Sequence, residues 1–107
     1  MDAQEIRALL GKSIFERAQK YRKRILQSSC TTNEDGVRHL TALVQGSGPE
    51  CYYTQVWLRE NGSFVSASCD CPYNQNGDGT YCKHIGALLL QDAEKNPPAP
   101  EKKPESI

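Results

Sequence analysis

The chain lacks a net charge, a long apolar run and a recognisable secretory leader. Its 13 basic residues are balanced by 13 acidic ones. No global field draws such a chain to nucleic acid or to an anionic membrane, so binding of that kind has to come from a local patch. The longest purely apolar stretch, Ala87 to Leu90, is far too short to cross a bilayer, and no membrane partner is expected. Met1-Asp2-Ala3-Gln4-Glu5 opens acidic and without an apolar core, which argues against a signal peptide. Without a leader, five cysteines, an odd number, argue for thiols kept reduced rather than a disulfide framework. A cytoplasmic location follows as the expectation. The chain also has no internal repeat. It carries neither a G-x-x-x-x-G-K-[ST] phosphate loop nor an acidic Mg²⁺ box, which excludes ATP hydrolysis by that machinery.

What is present is material for one small domain. The 107 residues are 37% apolar and 24% charged, which is globular but lean in core. A chain of this size buries a smaller share of its surface than a larger one, so a cross-link beyond the core is a plausible supplement. Asp2-x-x-Glu5 and Ser13-x-x-Glu16 both have the form of a capping box. The first predicts a short helix, and Gly11 separates it from a longer one opened by the second. Ile14, Phe15, Ala18, Tyr21, Arg22 and Ile25 fall at helical spacing and predict an apolar stripe that packs on the core. Three strands follow. Val37–Gln45 alternates with Leu40, Ala42 and Val44 on one face. Cys51–Arg59 alternates with Tyr52, Thr54, Val56 and Leu58 against Tyr53, Gln55 and Trp57. Gly46-Ser47-Gly48-Pro49 turns between them, and Asn61-Gly62 is a strong hairpin signal ahead of Ser63–Cys69. Lys83 to about Glu94 predicts a last helix, with Ile85, Leu88 and Leu89 buried.

One stretch carries the chemistry. Cys69-Asp70-Cys71-Pro72 is followed by a nine-residue polar loop and then by Cys82-Lys83-His84. Residues i and i+2 of an extended strand point the same way, so Cys69 and Cys71 can present both thiolates together. In a regular helix i and i+2 diverge, so Cys82 and His84 converge only at a helix entry, with Cys82 before or at the cap. There the free N–H groups and the positive end of the helix dipole also favour thiolate. Three thiolates and one imidazole form the ligand set of a closed structural zinc site. All four positions are taken by protein, so none remains for water or substrate. Lys83 partly offsets the net −1 of the loaded site. Ordinary buried cysteines or a redox pair are the alternative; two ligand pairs at short spacing, flanked by Pro and Gly, favour the metal.

Other candidates are weaker. Cys30 and Cys51 lack ligand spacing and are expected as small buried hydrophobes. His39 stands alone in a strand and is expected to be satisfied or exposed. Tyr73, in the polar loop, is expected to pack. Lys20, Arg22, Lys23 and Arg24 are the densest basic run, and a solvated helix face is the ordinary reading. With Lys83, Arg38 and Arg59 they are also the residues that could touch phosphates.

The stretch Ser66-Ala67-Ser68-Cys69-Asp70-Cys71-Pro72-Tyr73 with Tyr81-Cys82-Lys83-His84-Ile85-Gly86-Ala87-Leu88-Leu89 resembles a SWIM-type zinc finger, whose pattern is C-x-C, a variable loop, then C-x-H. Carried over residue by residue, Cys69, Cys71, Cys82 and His84 match the zinc ligands. Phe15-Glu16-Arg17-Ala18-x-x-Tyr21 and the Val44-Gln45-Gly46-Ser47 turn are similar, more loosely, to the segment before this finger in bacterial SWI2/SNF2-type helicase-like proteins. The likeness spans residues 13–92 and is specific only in its last third.

The expected fold is α+β: N-terminal helices, a three-stranded antiparallel meander, a zinc knuckle and a C-terminal helix. The expected division is a short N-terminal helix (1–12), a SWIM-type zinc-binding domain (13–94, finger core 64–92) and a Pro-rich linker or tail (95–107). The resemblance implies a non-catalytic, zinc-stabilised module that binds a protein partner or DNA. It also implies that this chain is the front end of a larger protein. A sequence-nonspecific DNA-binding domain in its own right is the alternative. A monomer without a small-molecule substrate is expected.

Overall fold

The computed structural model describes residues 1–46, 48–71 and 81–95. Pro72, Tyr73 and the rest of the expected metal loop lie outside the described residues, as do Ser47 and the tail from Asn96.

Helix α1 (Ala3–Leu10) starts at a complete capping box. Asp2 Oδ1 accepts the Glu5 N–H at 2.8 Å, and Glu5 Oε1 accepts the Asp2 N–H at 2.8 Å. It stops at Gly11, whose φ of 87° is open to glycine at little cost. The same residue opens α2 (Lys12–Tyr21): the Gly11 N–H bonds the Arg7 carbonyl, and its own carbonyl accepts the Phe15 N–H at 2.9 Å. The expected Ser13 cap is therefore absent. Ser13 lies inside the helix, and α2 begins without a side-chain cap.

Helix α2 also ends sooner than its periodicity suggests. Arg22–Arg24 form a single 3-10 turn, and Ile25 opens a strand instead of closing the apolar stripe. Strand β1 (Ile25–Thr32) corrects the three-stranded expectation. With β2 (Val37–Gln45), β3 (Cys51–Arg59) and β4 (Phe64–Cys69) it completes a four-stranded antiparallel meander in the order β1-β2-β3-β4. The β1–β2 turn is built on Asn33, whose Oδ1 accepts the N–H groups of Asp35 and Val37, each at 2.9 Å. The β3–β4 turn repeats this plan. The Gly62 N–H bonds the Arg59 carbonyl, Asn61 Oδ1 accepts the Ser63 N–H, and Gly62 rather than Asn61 takes the positive φ, 90°. A turn followed by a glycine of positive φ is the bulged hairpin rather than the two-residue one.

One face of the sheet is the core. Leu40, Ala42 and Val44 of β2 and Thr54, Val56 and Leu58 of β3 are buried there. Helix α3 (Lys83–Lys95) lies against them and is buried continuously from His84 to Leu90. A helix apolar on nearly all sides belongs in a middle layer. Ile6 and Leu10 of α1 and Ala18 of α2 join the same core, so α3 packs against both the sheet and the N-terminal helices. The α2–α3 contact is close because of Gly86. A Cβ placed there would stand 2.6 Å from Ala18 Cβ and 2.6 Å from Leu10 Cδ1. Two long-range pairs hold α3 in register. Arg38 of β2 meets Asp92 in a forked pair at 3.0 and 2.7 Å, and Arg22 meets Glu94 at 2.7 Å. The first is mostly buried, with side-chain exposures of 19% and 8%. The second is exposed enough that its contribution is small.

Valine at Gly86 forces α2 and α3 apart. Urea unfolding of zinc-loaded Gly86→Val should show a loss of about 1–3 kcal/mol, the usual cost of overpacking. An unchanged midpoint would mean that the two helices are not in close contact.

Candidate metal centre

The four expected ligands arrive from two elements. Cys69 is the last residue of β4, and Cys71 follows two positions on. The intervening Asp70 holds this segment beside β3: its Oδ1 accepts the Tyr53 N–H at 3.0 Å, and its own N–H donates to the Tyr53 carbonyl at 3.2 Å. Cys82 sits at the entry of α3, where its carbonyl accepts the Gly86 N–H at 3.1 Å. His84 is in the first turn. This is the helix-entry geometry that Cys-x-His requires.

The ligand atoms of Cys69, Cys71, Cys82 and His84 all lie within 4.8 Å of one another. His84 Nδ1 is 3.7 Å from both Cys69 Sγ and Cys82 Sγ. A zinc tetrahedron with Zn–S of about 2.3 Å and Zn–N of about 2.0–2.1 Å has S···N edges of about 3.5 Å and S···S edges of about 3.8 Å. The cluster is therefore the right size for one such ion. All four side chains are buried.

Charge leads to the same conclusion. A hydrogen bond from Cys82 holds the Cys69 thiol down to about 4 against the opposing effect of burial, with His84 and Thr54 assisting. The same bond to Cys69, then burial, pushes Cys82 far up. Three buried sulfurs cannot all carry negative charge without a cation among them, and a dication of borderline softness suits this donor set.

The imidazole is held by rings. Tyr21 of α2 meets it edge to face at 5.4 Å between centroids, and Tyr52 of β3 lies tilted against it at 4.9 Å. With Nδ1 turned to the thiols, Nε2 is left buried and, among the described residues, without a hydrogen-bond partner. Orientation of this ligand therefore rests on Tyr21 and Tyr52 rather than on the carboxylate or carbonyl that usually steers a ligating histidine. The sequence reading placed Tyr21 only in the apolar stripe. Its contact with a residue 63 positions later has no local signature.

The candidate phosphate contacts do not line up. Arg22 is paired with Glu94. Arg24 donates to the Gly46 carbonyl at 2.7 Å and lies 5.2 Å from the Tyr21 ring centroid. Lys83 Nζ sits 4.9 Å from the same centroid. Arg38 is taken by Asp92, whereas Arg59 is exposed. Lys20 and Lys23 instead border an open groove with Ser13, Glu16, Gln19 and Arg17, a residue the sequence reading did not single out. Cys30 and Cys51 are exposed, against the expectation of burial: β1 is an edge strand almost wholly open to solvent, and Cys51 is the first residue of its strand. His39 is satisfied, bonded to Gln55 at 2.9 Å and stacked on Trp57.

Fold and site together define a zinc-binding module. Residues 54–92 match the family model of the SWIM zinc finger. The matched span runs from β3 through β4 and both ligand pairs into α3. No curated protein and no solved structure gives a match to the chain. The cofactor is one zinc ion held by Cys69, Cys71, Cys82 and His84, whose role is to join strand to helix.

Elemental analysis should find one zinc per chain, lost in Cys82→Ser. Chelation should unfold the chain from about residue 60 onward, seen as loss of circular dichroism and of the melting transition; an unchanged melt would contradict a structural metal. Tyr21→Leu should keep the stoichiometry and weaken zinc retention about tenfold in a chelator competition, the low end of the range for residues that orient a ligand.

Proposed function

We propose that this chain is a non-catalytic recognition module, stabilised by its zinc, that docks a protein partner. The observation that supports this best is the closed ligand set: protein atoms fill all four positions of the metal, which leaves no coordination site for a substrate. The balanced charge and the internal engagement of Arg22, Arg24 and Arg38 also favour a protein over a polyanion. On the resemblance of its first half, the module is the front part of a larger cytoplasmic protein with a SWI2/SNF2-type ATPase, and is itself monomeric. No helix among the described residues is long and apolar enough to cross a membrane.

Sequence-nonspecific DNA binding is the second reading. It is favoured by the groove that Arg17, Lys20 and Lys23 border along α2 and the turn that follows it. Anisotropy titration of labelled duplex and single-stranded DNA with the zinc-loaded chain, at low and physiological salt, separates the two. Protein docking predicts no saturable binding. Saturable binding that weakens with salt, and is lost when Lys20 and Lys23 are changed to serine, would establish DNA as the ligand instead.

A further inference from the structure

The helices all pack on one face of the sheet, and among the described residues no element covers the other. The strand register gives that outer face three central rows. Thr31, His39, Trp57 and Ser66 form the first. Ser29, Thr41, Gln55 and Ser68 form the second. Gln27, Leu43 and Tyr53 form the third. The paired residues of these rows include no acidic side chain; the nearest is Asp70, which follows Cys69 and accepts the Tyr53 N–H at the end of the third row. His39 and Trp57 are stacked, 4.7 Å between centroids and 4° from parallel, which makes one flat ledge. Gln55 bonds both His39 and Ser68, and Ser29 bonds Thr41 at 2.8 Å, so the middle row is fixed. Tyr53 stands 45% exposed in the third row. Two aromatic ridges thus bound a polar floor, separated by four residues of β3, or about 13 Å. A groove of about 470 Å³ lies along this face, lined by Gln27, Ser29, Thr41, Leu43 and Tyr53.

Aromatic-rich and charge-poor surface is the composition of an interface core. Flat aromatic ledges suit a polyproline II strand, which has no internal hydrogen bonds to break and little conformational entropy to lose. These three rows hold no lysine or arginine to meet the phosphates of a polyanion.

The chain itself contains a proline-rich sequence of that composition, Asn96-Pro97-Pro98-Ala99-Pro100-Glu101-Lys102-Lys103-Pro104. Its point of departure is favourable. Lys95, the last residue of α3, shares a small groove with Ser28, Ser29 and Cys30 of β1. Strand β1 is an edge, paired only with β2, so nothing in the sheet lies between Lys95 and the outer face beyond that one strand. Nine residues at about 3.1 Å each reach about 28 Å. The step from β1 to β3 is two strand spacings, about 10 Å.

We propose that the proline-rich segment 97–104 docks across the outer face of the sheet, over β1 and onto Tyr53, Trp57 and His39. Tethering makes a weak contact sufficient. At an effective concentration on the order of 1 mM, a site with a Kd of about 0.1 mM is about 90% filled. The biological use of this contact, a face that a partner must uncover, rests on the protein-recognition reading. The docking itself stands without it and is tested separately.

Trp57 is the only tryptophan in the chain, so its emission reports on this face. In the zinc-loaded full chain, changing Pro97, Pro98 and Pro100 to serine should shift Trp57 emission to the red and increase its quenching by acrylamide. Added synthetic peptide 96–104 should reverse both, and should fail to do so when Tyr53→Ala is also present. These substitutions leave the core and the ligands untouched. Unchanged emission and quenching in the proline variant would overturn the proposal. So would a wild-type signal that changes on dilution, which would place the segment on a second copy. Reversal by oligo(dT) but not by the peptide would also overturn it, in favour of a nucleic-acid face.

Discussion

The structure depends on three thiolates and one imidazole being brought to a single point between the end of β4 and the start of α3. Neither element could hold that point alone. The C-x-C pair supplies two ligands from an extended segment, and the C-x-H pair supplies two from a helix entry, so the metal is the joint between sheet and helix. Structural zinc is worth on the order of 10–16 kcal/mol of apparent binding, as much as the whole stability of a small domain, about 5–15 kcal/mol. Helix α3 is the layer on which α1, α2 and the sheet all pack. A joint at its first turn therefore positions most of the core.

The parts of this arrangement that were legible in the sequence are those written in local spacing. The ligand pairs, the alternation of β2 and β3, the α1 capping box and the buried side of α3 each need only a few neighbouring residues to be recognised. Strand β1 was not legible because it has no buried face to alternate. As an edge strand open along almost its whole length, Ile-Leu-Gln-Ser-Ser-Cys-Thr-Thr carries no hydrophobic period. The available signal was Asn33 and Gly36, the same turn chemistry that marks Asn61-Gly62. The Ser13 cap failed for a different reason. Gly11 had already turned the chain, and α2 propagated from its carbonyl before Ser13 could cap it.

Charge was the least legible property. Lys20, Arg22, Lys23 and Arg24 are adjacent in sequence, yet Arg22 and Arg24 are spent on Glu94 and the Gly46 carbonyl. Arg38 is spent on Asp92, 54 positions away. Their partners lie far along the chain, on the last helix or in the turn after β2, so no local pattern could have announced them. What remains on α2 and the turn after it is a different set, with Arg17 joined to Lys20 and Lys23. A basic run is thus a poor guide to a basic surface when a short chain must use its long side chains to bridge its layers.

The two faces of the sheet are mechanically linked at the knuckle. Asp70 lies between two zinc ligands and is bonded twice to the backbone of Tyr53, whose side chain belongs to the outer face. Thr54, the next residue, turns inward and stands 3.4 Å from Cys69 Sγ. Tyr52, the residue before, lies against the His84 ring. Three consecutive residues of β3 therefore address the imidazole, the outer face and a metal-bound sulfur in turn, as strand alternation requires. The Asp70 bonds thus tie the segment between the first two ligands directly to the strand residue whose side chain faces outward, so the knuckle and the outer face share one piece of backbone.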